Sequence, residues 1–433
     1  MKIVEITPST LMGTVNIPPS KSMSHRSIFC AALSDGISNI KNVLLSEDIK
    51  ATCESMEALG AKIKYKKTDD KREIYHLRIQ GTPRPKLKKE KIDCGESGST
   101  IRFIIPLLAL LDERVTVTGR GRLVSRPLDS YYEIFDQKKI YYTNKYGELP
   151  LTIKGMLESG IYELKGDVSS QFITGLMFAL PLVKGDSKIV ITTDLESKPY
   201  VDMTIEMLTR FGIEIVNNDY REFMIKGNQQ YQGADYSVEG DFSQAAFWLS
   251  AGVLGGEIYS NDLKFDSLQG DKAIVDIIGK MGGNIEKLLL GYKTTRSNLH
   301  GTTVDASQCP DLVPIVSVLA ALGDGMTEVV NAKRLRIKES DRLDAITQVL
   351  TTLGADIAQY TDGLIIRGKS KLKGGEVDSF NDHRIAMAAA IASIRCEEKV
   401  IVRNAQSVNK SYPNFWEDFA GLGGVINELE HGE

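Results

Sequence analysis

The feature that most constrains this chain is internal repetition: a polar or ionic helix start followed by an apolar helical stretch recurs six times, roughly every 70 residues. The first series begins at Ser20-Lys21-Ser22, Gly98-Ser99, Ser169-Ser170, Asp241-Phe242-Ser243, Pro310-Asp311 and Asn381-Asp382. A second series follows inside each unit, at Ser46-Glu47-Asp48, Ser125-Arg126-Pro127, Ser197-Lys198-Pro199, Gln269-Gly270-Asp271, Glu339-Ser340-Asp341 and Lys410-Ser411-Tyr412-Pro413. Five of these second helices end alike, at Leu59-Gly60-Ala61, Phe211-Gly212-Ile213, Met281-Gly282-Gly283, Leu353-Gly354-Ala355 and Leu422-Gly423-Gly424; the second unit is worn, with Lys138-Lys139-Ile140 instead. Ser, Asp and Asn accept from first-turn N–H groups, and glycine takes the left-handed conformation that stops a helix. Alternating apolar residues such as Tyr75, Leu77 and Ile79 supply the strands. Each unit therefore reads βαβαββ.

A helix N-terminus carries about half a positive elementary charge and unpaired N–H donors, so repeats that aim several at one place make an anion site. The competing reading is a solenoid whose caps merely stop helices. At 433 residues the chain exceeds one ordinary domain, and two domains of three units each is the natural division. With a formal net charge of -4 and a pI near 5.9, any positive surface must be local, which disfavours nucleic acid and acidic membranes as partners. The basic run Lys86 to Lys91 has no interleaved aromatic residue to stack on bases. Five scattered cysteines, without a C-x-x-C pair, predict reduced thiols in the cytosol. The N-terminus has no signal-like segment, nowhere do 18 apolar residues run together, and no apolar stripe advertises a partner. A soluble, cytoplasmic monomer is expected.

Several helix starts carry groups suited to chemistry. Lys21 sits at a helix N-terminus, and Ser22 and Arg26, four residues apart, share its face, so the three can surround a phosphate. No G-x-x-x-x-G precedes the lysine, so this is not a Walker loop. Asp93 to Arg102 is a glycine-rich turn into an apolar helix, where backbone N–H groups can approach a ligand. Gly119 to Pro127 holds three arginines in a turn, of which Arg122 and Arg126 can grip a carboxylate or phosphate. Arg334 to Arg342 alternates as a strand and then caps the helix carrying Leu343, Ile346, Val349 and Leu350; it sets Glu339 among cations as a candidate proton donor. A salt-bridged surface is the bland alternative for this segment. Register argues against it. Lys21, Gly98, Ser169, Asp311 and Arg384 occupy one place in five repeats, and Arg122, Ser197, Arg342 and Lys410 the second place in four.

Together these segments resemble the 5-enolpyruvylshikimate-3-phosphate synthase family over the whole chain. The motifs that carry the resemblance are Pro19-Ser20-Lys21-Ser22 with Arg26, Gly98 with Arg102, Arg126-Pro127, Ser169-Ser170-Gln171, Ser197-Lys198-Pro199-Tyr200, Lys338-Glu339-Ser340-Asp341-Arg342, Asn381-Asp382-His383-Arg384 and Lys410-Ser411-Tyr412-Pro413. The resemblance implies a two-domain inside-out α/β barrel of six βαβαββ repeats, three per domain. One domain would hold residues 21–238, the other the N-terminal strand (1–20) with 239–433, and the active site would lie in the interdomain cleft. It implies transfer of the enolpyruvyl group of phosphoenolpyruvate to the 5-hydroxyl of shikimate 3-phosphate, with no metal or organic cofactor. Position by position it assigns Lys21, Ser22, Arg26, Ser169, Ser170, Gln171, Ser197, Asp311 and Lys338 to shikimate 3-phosphate. Phosphoenolpyruvate would meet Lys21, the Gly98 backbone, Arg122, Gln171, Arg342, Arg384 and Lys410. Asp311 is then the general base and Glu339 the proton donor to C3, with Lys21 a further participant in proton transfer.

Two positions depart from the family's pattern. Glu96 stands where an asparagine is common, a carboxylate expected to be neutralised by a cation such as Arg122, and Arg334 stands where many members have an asparagine. Gly98 leaves room at the pocket, which implies inhibition by glyphosate competing with phosphoenolpyruvate. Three other readings compete. The enolpyruvyl transferase acting on UDP-N-acetylglucosamine uses a loop cysteine, and Cys94 is the nearest candidate. An RNA terminal-phosphate cyclase needs a basic track, against the acidic pI. A non-catalytic polyanion scaffold gains nothing from the acids Asp311 and Glu339.

Overall fold

In the computed structural model, which describes residues 2–69 and 71–429, every repeat is one four-stranded sheet with two helical connections. The third repeat shows the pattern. Strand Gly160–Leu164 lies parallel to Ser187–Ile191, which pairs antiparallel with Glu222–Ile225, itself antiparallel to Ile215–Asn218. A parallel pair needs a crossover, here the helix Ser170–Ala179, while the antiparallel pair closes as a hairpin after the helix Lys198–Arg210. The other five sheets repeat this strand order.

Local chemistry sets the boundaries. Side chains of Ser20, Ser97, Ser169, Asp241 and Asp382 accept first-turn N–H groups of their helices. Gly60, Gly212, Gly282, Gly354 and Gly423 end the second helices at φ between +80° and +104°; in the worn repeat Lys139 takes the same left-handed conformation at +56°. The first helices are buried on nearly every side, as in the apolar Val313–Ala321, where every residue is enclosed; Lys21–Leu33 buries even Ser24, His25 and Arg26. Gly175 lets two of them meet: a Cβ there would lie 2.2 Å from the Arg102 carbonyl oxygen.

Residues 19–238 form one compact unit with its own apolar core, and the remaining described residues form the other. Closed cores rule out the solenoid. The chain passes between the units twice, because residues 2–18 belong with the segment after 238. The N-terminal segment supplies two strands rather than one. Ile3–Thr7 is the inner strand between Val400–Arg403 and Val425–Leu429, and Met12–Asn16 pairs with Glu257–Asn261. The first repeat likewise borrows Tyr236–Ser237.

One expected strand is absent. The alternating segment after Arg334 folds as a 3-10 turn, Lys333–Ile337, with Leu335 in the core. Similar turns, Gly121–Ser125, Gly270–Lys272 and Ala405–Lys410, precede three other second helices. Over five residues the periods of a strand and of a 3-10 helix bury nearly the same positions, so alternation does not separate them. All five cysteines are free and buried. Among the described residues no helix is long and apolar enough to cross a membrane.

Candidate active site

Each unit gathers its share of the expected residues at the starts of its helices. In the unit 19–238, Lys21 opens the helix Lys21–Leu33, and its ammonium pairs with Asp48 Oδ2 at 2.8 Å, the two side chains 17% and 10% exposed. Arg26 is buried, with three of its donors held by the protein. Its Nε donates to Thr204 Oγ1, and its Nη atoms donate to the carbonyl oxygens of Ser22 and Tyr200, all at 2.9 Å. Burial lowers its pKa to about 10, so it stays charged at neutral pH. Arg26 therefore holds the Ser22 turn against the helix Lys198–Arg210.

Gly98 is the first residue of the helix Gly98–Leu108. A Cβ there would lie 2.5 Å from an Arg126 Nη, so the Arg126 guanidinium covers this helix start. Arg122 is exposed on the neighbouring 3-10 turn. The Glu96 carboxylate rests against Gly121, where a Cβ would be 2.7 Å from it. Gln171 is held at both ends of its amide: Arg102 donates to Oε1 at 2.8 Å, and Nε2 donates to Ser99 Oγ at 2.9 Å. Ser169 caps that helix, Ser170 is buried beside it, and Ser197, at φ +56° and 3% exposed, opens the next.

In the other unit the cations converge on acids. Asp311 Oδ1 lies 2.8 Å from Arg342 Nη1 and 3.4 Å from Lys338 Nζ, while Oδ2 lies 3.0 Å from Arg384 Nη2. Arg342, 1% exposed, also pairs with Glu339 at 2.7 Å and Asp382 at 2.8 Å. Asp382 in turn accepts from Ser340 Oγ and caps Arg384 N, both at 3.0 Å. Lys410 Nζ donates to the Asn381 carbonyl at 2.6 Å. Arg334, one of the departures, is buried and donates to the Ser307 carbonyl at 2.8 Å.

These distances set the charges. Burial pushes the Asp311 carboxyl up, but Arg384, Lys338 and Arg342 outweigh it and hold it well below the usual carboxylate range. Arg342 loses to burial and regains more from Asp382, Glu339 and Asp311, ending above its ordinary value. Burial outweighs Asp311 at Lys338 and lowers it. Asp271, 2% exposed and bonded to the Ser243 hydroxyl, goes the other way, pushed up to about 6 by burial and by Asp311.

Sequence reasoning named the cations and missed two acids that orient them, Asp48 on Lys21 and Asp382 on Arg342, as well as the buried Asp271, which is bonded to Ser243. The available signal was their place at helix starts of the same lattice.

A family model for EPSP synthase (3-phosphoshikimate 1-carboxyvinyltransferase) matches residues 6–419. The chain belongs to this family. It is 55% identical to the 3-phosphoshikimate 1-carboxyvinyltransferase of Clostridium novyi over 438 residues and to that of Clostridium acetobutylicum over 434, covering all of both chains in each case. An EPSP synthase structure from Acinetobacter baumannii superposes with a TM-score of 0.81 at 24% identity, over 99% of this chain and all of that one. That likeness establishes the two-domain inside-out α/β fold.

Proposed function

We infer that this chain transfers the enolpyruvyl group of phosphoenolpyruvate to the 5-hydroxyl of shikimate 3-phosphate and releases phosphate, in the route to aromatic amino acids. Family membership supports the reaction. The observation that carries the residue-level reading is the single carboxylate Asp311 ringed by Lys338, Arg342 and Arg384. Two highly anionic substrates repel each other, so holding both requires a dense set of cations and helix N-termini.

Lys21, Ser22, Arg26, Ser169, Ser170, Gln171, Ser197, Asp311 and Lys338 hold shikimate 3-phosphate. Phosphoenolpyruvate meets Lys21, the Gly98 backbone, Arg122, Gln171, Arg342, Arg384 and Lys410. The 5-oxygen bonds to C2 of phosphoenolpyruvate as Asp311 takes its proton, and C3 gains a proton from Glu339, with Lys21 assisting. The resulting tetrahedral ketal phosphate then returns a proton from C3 to the Glu339 carboxylate as its C2–O bond to phosphate breaks, and the departing phosphate takes the proton that Asp311 holds. Asp311 with three cations is a weak base; anionic substrates that draw Arg342 and Arg384 to themselves raise its basicity when it is needed. Five buried free thiols suit the reducing cytoplasm, where the chain acts as a monomer.

Phosphate release is the test. Release that requires both substrates and survives a metal chelator supports this reading; tight binding of either without release from the pair supports the scaffold instead.

A further inference from the structure

One buried polar group of the first unit has no part in the proposed chemistry. His25, 1% exposed, lies between Lys21 and Arg26 on the helix Lys21–Leu33. Its Nδ1 lies 2.7 Å from Thr52 Oγ1, Thr52 Oγ1 lies 2.6 Å from Thr100 Oγ1, and the Thr100 hydroxyl donates to Ser97 Oγ at 2.7 Å. Thr52, Thr100 and Ser97 are fully enclosed. Ser97 Oγ also accepts the Thr100 N–H at 3.2 Å, capping the helix that starts at Gly98.

The donors sort themselves along this chain. Thr100 spends its proton on Ser97, so its oxygen accepts from the Thr52 hydroxyl, and Thr52 accepts from a protonated Nδ1 of His25. One direction of donation thus runs from the imidazole to the cap, three hydrogen bonds in series across three helices. Burial, reinforced by Lys21 and Arg26, keeps the imidazole neutral. The middle helix, Glu47–Ala58, carries both Thr52 and the Asp48 that holds the Lys21 ammonium. The same element thereby references two groups of the site to each other.

We propose that His25 is a positioning residue, which through Thr52 and Thr100 fixes the Ser97 cap and the Gly98 backbone against the Lys21 helix, and so sets the affinity for phosphoenolpyruvate. This rests on the reading above that the Gly98 backbone faces that substrate. His25 itself touches no substrate and moves no proton in the reaction.

The test is steady-state kinetics of His25→Leu, Thr52→Val and His25→Asn, with thermal melting alongside. Leucine and valine break the chain with little change of volume; asparagine keeps an N–H near the place of Nδ1. Loss of one net hydrogen bond's worth of order predicts a KM for phosphoenolpyruvate raised about five- to tenfold in His25→Leu and Thr52→Val. The KM for shikimate 3-phosphate should stay within about twofold, and His25→Asn should restore the wild-type value. Thr52→Val serves alone if His25→Leu does not fold. A lowered melting temperature with both KM values unchanged, or both KM values rising together, would overturn the proposal. Wild-type enzyme that releases no phosphate from the two substrates would sink the functional reading instead, so the two failures are separable.

Discussion

At the scale of single residues the site is a set of charges whose values are fixed by neighbours. Gly98 is the steric case at the proposed phosphoenolpyruvate site. A Cβ there would stand 2.5 Å from an Arg126 Nη, so Gly98→Ala must displace that guanidinium. We expect a KM for phosphoenolpyruvate raised about tenfold with that for shikimate 3-phosphate little changed, measured by initial rates. Asp271 gives a pH prediction. Its folded pKa of about 6 exceeds the ordinary 3.8, so the folded protein binds this proton more tightly than the unfolded chain does. The stability it contributes is full below the ordinary value and is lost as pH rises through 6. Asp271→Asn abolishes the titration, so between pH 4.5 and 7 its stability should rise relative to wild type by about 2 kcal/mol in denaturant titrations. Asp311, shifted down, titrates below that window. A constant difference across the range would mean Asp271 ionises normally.

At the scale of elements the lattice was legible because capping chemistry is local. A serine before an apolar run or a glycine after one is decided within a few residues, which is why Ser169, Asp241 and Gly354 stand where the sequence places them. The segment Lys333–Ile337 alternates like a strand yet folds as a 3-10 turn, because five alternating residues do not distinguish two short periods. The worn second repeat offers a test. Lys139 bears the left-handed strain that glycine avoids in the other five repeats, so Lys139→Gly should stabilise by up to about 1 kcal/mol, read as a shift in denaturation midpoint. Gly175→Ala should do the reverse: its methyl group would meet the Arg102 carbonyl and the Tyr131 hydroxyl at 2.2 Å, costing about 1–3 kcal/mol.

At the scale of the whole molecule, what sequence hid is what is far apart along the chain. No local pattern says that Ile3–Thr7 pairs with both Val400–Arg403 and Val425–Leu429, or that Tyr236–Ser237 completes the first sheet. Nor does local pattern show that Arg342 is shared among Asp311, Glu339 and Asp382. The identities of the cations, and of Asp311 and Glu339 beside them, were readable from register; the parts of Asp48 and Asp382 were not, since their role exists only once distant helix starts meet. The central claim is an addition followed by an elimination at C2 and C3 of phosphoenolpyruvate. It is tested most directly by running the reaction with both substrates in deuterium oxide and examining the product by mass spectrometry and proton NMR. Protonation at C3 from exchangeable donors such as Glu339 or Lys21 predicts deuterium in the vinylic position of the product. Product formed at full yield with no deuterium there would contradict the account.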